Sequence, residues 1–245
     1  IELFGDVLET ERQNAAPGPV LADTLESLGR AHAEDDEPGA ALGSWDEAAD
    51  LYEAAEQPSE AARLRWRMGN LFRQYEDFDE AVDQFDQAMS LLETAGWEAQ
   101  PDARPLGTTV LEARALAKAP QGDPSALEDV DHAREIAVAD EEAWRAADLL
   151  DTRARVLATL DRGEEAVAQF LQAADAYRAA GDWPAGASAE LMASNTLAAR
   201  LERPADARAI LREALKTLSQ SPQEQAAAEA SGLLEALNAA LAELA

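Results

Sequence analysis

The chain has 245 residues, with 49 Asp and Glu against 20 Lys and Arg, two His and no Cys. The lack of cysteine excludes disulfides, thiolate zinc sites, iron–sulfur clusters and cysteine nucleophiles, and two histidines leave little for other metal or acid–base sites. A formal net charge of −29 at pH 7 argues against binding to nucleic acid or to an anionic membrane, because phosphate contacts need Lys and Arg.

The composition predicts an all-α protein. Alanine, the best helix former, supplies 57 residues. Val, Ile and aromatic residues, which a β-sheet would need, are scarce. No stretch approaches the roughly 20 apolar residues that cross a bilayer. We therefore expect a helical protein of the cytoplasm that does not enter a membrane.

The first segment, residues 1–19, predicts an N-terminal amphipathic helix. Its apolar residues recur at helical spacing. They are Ile1, Leu3, Phe4, Val7 and Leu8.

Residues 20–218 contain five copies of one pattern. Each copy has an Ala, a bulky residue four positions later and an Ala three positions after that, so all three share one face of a helix. The triples are Ala48–Tyr52–Ala55, Ala81–Phe85–Ala88, Ala126–Val130–Ala133, Ala166–Phe170–Ala173 and Ala207–Leu211–Ala214. The first Ala recurs every 33 to 45 residues, which predicts about five helical repeats.

The segment 65–88 carries the fullest form of this pattern, with Met68–Gly69 and Phe72 preceding Ala81 and Phe85. It resembles the tetratricopeptide repeat (TPR), a helix–turn–helix unit of about 34 residues. Arg65 occupies the place of the family's Trp. The matching positions of the other first helices are Leu28–Gly29 in the first repeat, Ala154 and Leu157 in the fourth, and Asn195 and Ala198 in the fifth.

The resemblance implies an all-α, right-handed α-solenoid of stacked antiparallel helix pairs, with about 10–12 helices. We expect one continuous array over residues 1–245. Residues 222–245 would form its C-terminal capping helix, because a solenoid needs covered ends. The apolar residues of this last segment alternate by four and three, so homodimerisation through the terminal helices is the alternative. They are Ala230, Leu234, Leu237, Leu241 and Leu244.

The sequence lacks the short motifs that carry catalysis or nucleotide binding. It contains no G-x-x-x-x-G-K, G-x-G-x-x-G, G-x-S-x-G or H-E-x-x-H motif. We therefore expect no enzymatic activity, no cofactor and no metal site.

One segment differs in charge from the rest of the chain. Residues 61–74 carry +4 and no acid, whereas residues 1–60 and 75–100 carry −14 and −8. Residues at spacings of three and four share a helix face. The face so predicted presents Arg63, Trp66, Asn70 and Arg73.

The TPR resemblance implies that this helix lines a concave, ligand-binding face. Family members that hold peptide C-termini use Lys, Arg and Asn there, and Asn70, directly after Gly69, matches the Asn position. Trp66 stands where a Lys is expected, and Arg30 and Arg155 are the basic residues at the equivalent place in other repeats. The alternative is that the arginines pair with acids of neighbouring helices.

These features favour a non-enzymatic scaffold that binds a protein or peptide through Arg63, Trp66, Asn70 and Arg73. Its partner would carry an acidic segment or a C-terminal carboxylate. Two alternatives stay open. The array could be the sensor or regulatory domain of a larger signalling or transcription-regulatory protein, or its acidic surface could capture a basic protein.

Overall fold

The computed structural model describes residues 1–219 and 227–244, and this part of the chain contains helices and turns but no strand. The all-α fold is confirmed. Two short 3-10 turns, Trp97–Ala99 and Ala119–Gln121, accompany the α-helices. Within these ranges the helices are α1 (Glu2–Gln13), α2 (Gly18–Glu34), α3 (Pro38–Ala54), α4 (Pro58–Gln74), α5 (Phe78–Ala95), α6 (Arg104–Lys118), α7 (Ala126–Ala139), α8 (Ala143–Thr159), α9 (Gly163–Ala179), α10 (Trp183–Ala199), α11 (Pro204–Ser219) and α12 (Ala227–Glu243).

The helices pack as antiparallel pairs, which makes the fold an α-solenoid. The tightest pairs are α2 with α3, α4 with α5, α8 with α9, and α10 with α11. The chain divides into two compact units, Ile1–Ala117 (unit 1) and Lys118–Ala245 (unit 2). A single continuous array over residues 1–245 stays a prediction.

Most turns between helices use one short backbone form. The second residue after each helix is left-handed, with φ of 59° at Asp36, 57° at Glu56 and 60° at Glu76. The next residue donates its N–H back across the turn, as Gln57 does to the Tyr52 carbonyl at 2.9 Å. These turns are three residues long, so each helix reverses direction directly onto its neighbour.

Within each pair of unit 1, a glycine lets an aromatic ring approach the facing helix. A Cβ placed on Gly29 would lie 2.5 Å from the Trp45 ring, and one on Gly69 would lie 2.6 Å from the Phe85 ring. These two contacts are equivalent and lie 40 residues apart. The first repeat therefore has the same length as the fourth.

The predicted register of the first repeat is wrong by two helical turns. The triple equivalent to Ala81–Phe85–Ala88 is Ala41–Trp45–Ala48, all buried, rather than Ala48–Tyr52–Ala55. Ala55 already lies beyond the end of α3. The residue Tyr52 has a different role, because its hydroxyl bonds to Asp23 of α2.

Unit 2 repeats the helix pair of unit 1 at a shift of 125 residues. Asp23 and Tyr52 of unit 1 correspond to Asp148 and Tyr177, which form the same hydrogen bond. The close-packing position of α10 is Ser194, whose hydroxyl donates to the Ala207 carbonyl at 3.2 Å. The prediction of Asn195 at this position is wrong by one residue, and Asn195 is exposed.

Both ends of the chain carry a helix outside the tight pairs. In α1 only Leu8 is buried, whereas Leu3 is 72% exposed. In α12 Leu237 is fully buried in a cluster that includes Leu211 and Leu218 of α11. The side chains of Ala230, Leu234 and Leu241, on which the predicted dimer seam depends, lie outside the described residues.

Candidate functional site

The arginine-rich helix α4 runs from Pro58 to Gln74 and packs between α3 and α5. Proline at its first position suits a helix start, because that N–H would have no partner in the helix. The four residues predicted to share a face do not line one site. Trp66 and Asn70 line a groove beside α2, whereas Arg63 lines a separate cavity near the start of α4.

Arg63 is held by two carboxylates. Its guanidinium contacts both oxygens of Glu26 on α2, at 2.5 and 2.9 Å, and bonds to Glu60 one turn earlier at 2.6 Å. The hydrogen bonds to Glu26, then those to Glu60, raise the pKa of Arg63 above its ordinary value. Arg63 is therefore committed to contacts within unit 1.

Arg65 fills the family's Trp position and is only 8% exposed. Its guanidinium reaches three acids of α3 and lies nearest to Asp46 (2.6 Å) and Asp50 (3.3 Å). The interpretation that arginines of α4 pair with acids of neighbouring helices is thus correct for Arg63 and Arg65.

Arg67 and Arg30 are less neutralised. Arg67 reaches Glu26 at 3.3 Å, but it shares that carboxylate with Arg63, and burial lowers the pKa of Arg67. Arg30, on α2, makes no ion pair with any residue in the described part of the chain. Both side chains line the groove.

The groove holds about 370 Å³ and is lined mainly by apolar surface. Its walls come from the C-terminal halves of α2 and α4, and Trp45 of α3 forms part of its lining. The Trp45 indole N–H donates to the Glu26 carbonyl at 3.2 Å, which fixes that ring. The lining residues are Arg30, Ala33, Glu34, Trp45, Trp66, Arg67, Asn70, Leu71 and Gln74.

Several donors around this groove have no partner. The indole N–H of Trp66 and the Nε–H groups of Arg67 and Arg73 are buried without a hydrogen bond in the described part of the chain. By contrast, the Asn70 amide donates to the Trp66 carbonyl at 2.9 Å and accepts from Arg73 at 3.0 Å. Unpaired buried donors are unfavourable, so the groove gains when an acceptor reaches them.

The second cavity, of about 790 Å³, is mainly polar. Besides Arg63 it is lined by Asp23, Tyr52, Glu56 and Glu60 among others. The Tyr52 hydroxyl donates to Asp23 at 2.5 Å. Burial and this bond raise the pKa of Tyr52 well above its ordinary value. This cavity therefore presents carboxylates that are already hydrogen-bonded to neighbours.

Neither a metal centre nor a membrane segment emerges from the described residues. Among them, no group of three or more His, Asp or Glu side chains is arranged to hold a metal ion. None of the helices within these ranges is both long and apolar enough to cross a membrane.

Sequence reasoning missed part of the groove. Trp45 was overlooked because the predicted register placed Tyr52 in its role. Arg67 was passed over because it does not share the spacing of Arg63, Trp66 and Asn70. The signal for Arg30 was present, since it directly follows Gly29 as Asn70 follows Gly69.

Comparisons with known proteins give fold relatives only. No protein-family model matches the chain, and no curated protein matches it either. Aspartyl phosphate phosphatase F from Bacillus subtilis is 13% identical with a TM-score of 0.67, over 97% of this chain and 62% of that protein. The chain thus spans less than two thirds of that phosphatase.

Two further solved structures are similar. The apo form of RapI is 12% identical with a TM-score of 0.58, over 91% of this chain and 84% of that one. A Rap protein complexed with competence and sporulation factor is 15% identical with a TM-score of 0.51, over 100% of this chain and 82% of that one. With its Ala–bulky–Ala repeats packed as antiparallel pairs, the chain has the fold of the TPR-like repeat proteins.

Proposed function

We propose that the chain is a non-enzymatic scaffold that binds a protein or peptide in the groove between α2 and α4. The observation that carries this proposal is the lining of the groove. Arg30, Arg67 and Trp66 meet there, in a chain whose net charge is −29. Cationic and aromatic side chains around an apolar cleft favour an anionic peptide segment.

The fold comparison supports a peptide as the ligand. A Rap protein of similar fold was solved with competence and sporulation factor bound, and we carry that mode of action over as a proposal. Trp66 and Asn70 would contact the ligand, whereas Arg63 and Arg73 would hold the groove in shape. The partner would offer an acidic segment or a C-terminal carboxylate.

The non-enzymatic part of this proposal rests on composition. One fold relative is named a phosphatase, so hydrolysis needs a direct test. The chain offers no Cys and two His for nucleophilic or acid–base chemistry. We expect no release of phosphate from acetyl phosphate, an acyl phosphate like aspartyl phosphate, above the uncatalysed rate. A rate that saturates with substrate would contradict this expectation.

Three alternatives remain predictions, each with its own test. A role as the sensor domain of a larger regulatory protein is tested by the gene that encodes the full chain. Capture of a basic protein by the acidic surface would weaken steeply between low and physiological salt. Homodimerisation through the terminal helices would raise the mass found by analytical ultracentrifugation.

The main experiment is a peptide screen against the full chain. A library of 15-residue peptides, each with a free and an amidated C-terminus, is tested for binding. We expect the double substitution Arg30→Gln and Arg67→Gln to weaken the best binders at least tenfold. Arg155→Gln, the equivalent of Arg30 in unit 2, is the matched control. Binders unaffected by the double substitution would contradict the groove as the site.

A further inference from the structure

We infer that the groove selects a segment in which a bulky apolar side chain lies next to one carboxylate, and that Glu26 limits it to one. This inference rests on the proposed function and adds the chemistry of the ligand.

The apolar part of the ligand follows from the groove lining. Trp45, Trp66, Leu71 and Ala33 provide most of the surface that lines the 370 Å³ space. A charged or small side chain would leave this surface wet, whereas a Leu, Met or Phe side chain would displace water from it. An apolar anchor beside aromatic walls is typical of peptide recognition.

The single carboxylate follows from a balance of charges. The groove and its ion-pair partners contain four arginines, at positions 30, 63, 67 and 73. Three glutamates oppose them, at positions 26, 34 and 60. The remaining charge is +1, which one carboxylate neutralises. A second carboxylate would face Glu34 and the acidic surroundings without a free cation.

Glu26 is the residue that sets this balance. Only 8% exposed, it contacts Arg63 through both oxygens and Arg67 through one. Its carbonyl also accepts from Trp45, so one residue touches the cationic and the aromatic parts of the groove. Replacing its carboxylate by an amide would release the charge of Arg67 toward a ligand without removing side-chain volume.

The unpaired donors add a condition on the ligand backbone. The Trp66 indole N–H and the Arg67 Nε–H are both buried in the unliganded structure, so these side chains must shift to reach a ligand carbonyl. An acceptor there relieves two unsatisfied donors. We expect the resonance of the Trp66 indole to move on binding.

The test uses the full chain, labelled with ¹⁵N, and amidated, N-acetylated 12-residue peptides of Gly and Ser that carry a central pair. The pairs are Leu-Glu, Ala-Glu, Leu-Gln and Leu-Glu-Glu, so no terminal carboxylate takes part. Affinity is measured from shifts of the Trp66 indole and Asn70 amide resonances, which detect millimolar binding. The Asn195 amide, at the equivalent place in unit 2, is the internal control.

We expect Leu-Glu to bind at least tenfold more tightly than Ala-Glu or Leu-Gln, and Leu-Glu-Glu to gain less than twofold over Leu-Glu. The Glu26→Gln variant should bind Leu-Glu-Glu at least fivefold more tightly than the unchanged chain does. The Arg67→Gln variant, which leaves Glu26 in place, should lose Leu-Glu binding. Circular dichroism verifies that both variants fold.

Two results would overturn the inference. One is equal affinity for Leu-Glu, Ala-Glu and Leu-Gln, or no binding by any of them. The other is a Glu26→Gln variant that gains nothing for the diacidic peptide. If the 15-residue library still yields groove binders, only the ligand chemistry inferred here fails. If the library also yields none, the proposed function fails with it.

Discussion

The hydroxyl of Tyr177, in the last turn of α9, donates a hydrogen bond to Asp148 in the second turn of α8 at 3.1 Å. Tyr52 and Asp23 form the same bond in unit 1, again 29 residues apart. Each bond ties the C-terminal end of the second helix of a pair to the start of the first helix. Both tyrosine side chains are almost fully buried, at 3% and 5% exposure.

Removing these hydroxyls should destabilise each unit. A hydrogen bond to a charged acceptor contributes about 1.5–3 kcal/mol, so we expect Tyr177→Phe and Tyr52→Phe each to lower the free energy of unfolding by about 2 kcal/mol. Tyr75→Phe is the control, because that ring is 52% exposed. Urea unfolding monitored by circular dichroism measures the difference. Equal losses in all three variants would contradict the special role of the buried pair.

The same tyrosines predict a loss of stability at alkaline pH. Burial and the neighbouring aspartates raise the pKa of both hydroxyls, so the folded chain keeps these protons while the unfolded chain releases them near pH 10. Their contribution is complete below pH 10 and declines as pH rises above it. We expect a decline of about 1 kcal/mol per pH unit for each tyrosine. Unfolding at pH 9 and 11 measures it, and the double Tyr→Phe variant should lose less over that interval.

The close approach of Gly69 to Phe85 predicts a strong effect of one methyl group. In Gly69→Ala the new Cβ would meet the ring at 2.6 Å, and we expect a cost of about 1–3 kcal/mol from overpacking. The matched control is Gly43→Ala in α3, where no atom lies within 4 Å of the new Cβ. That variant should gain roughly 0.5–1 kcal/mol, because Ala favours the helix. Thermal unfolding of both distinguishes packing from helix propensity, and a stabilised Gly69→Ala would contradict the packing described.

The repeat fold could be predicted from sequence, but the register of its first copy could not. Ala41-x-x-x-Trp45 and Ala48-x-x-x-Tyr52 both satisfy the Ala–aromatic pattern. They lie seven residues apart, which is almost two helical turns, so they share nearly the same face. Only the contact of Trp45 with Gly29 distinguishes them, and contacts between helices are not encoded in the spacing.

The candidate site was predicted in part for a similar reason. The helix that carries it could be identified from a local change in charge. The partner of Arg63 could not, because Glu26 lies 37 residues away and is one of many acids in the first 60 residues. The groove therefore depends on which arginines are neutralised by distant acids, and this is a property of the packing.

Left-handed turn residues predict opposite effects for two substitutions. Gly181 has φ of 88°, a conformation that costs a side chain roughly 1–2 kcal/mol. We expect Gly181→Ala to lower the free energy of unfolding by about 1 kcal/mol. Glu76, at φ of 60°, already bears that cost, and Glu76→Gly should be stabilising by a few tenths of a kcal/mol to about 1 kcal/mol. Chemical denaturation measures both, and a shift of the same sign in the two variants would contradict the argument.

Two buried charges on either side of α4 should differ in their response to removal. The acids around Arg65 are largely in solvent, with Asp46 and Asp50 side chains 55% and 70% exposed, and the Arg65 Nε–H is buried without a partner. Arg65→Met therefore leaves no buried charge behind, and we expect a change within about 1 kcal/mol in either direction. Glu26→Leu instead leaves Arg63 and Arg67 partly buried without their shared carboxylate.

We expect Glu26→Leu to cost about 3 kcal/mol, since breaking a buried pair by removing one partner leaves an uncompensated charge. Glu26→Gln, which keeps hydrogen-bond acceptance at one oxygen, should cost less than Glu26→Leu. Urea unfolding of the three variants gives the order directly. If Arg65→Met proved as damaging as Glu26→Leu, the ion pairs of Arg65 with α3 would be stabilising the chain despite their exposure to solvent.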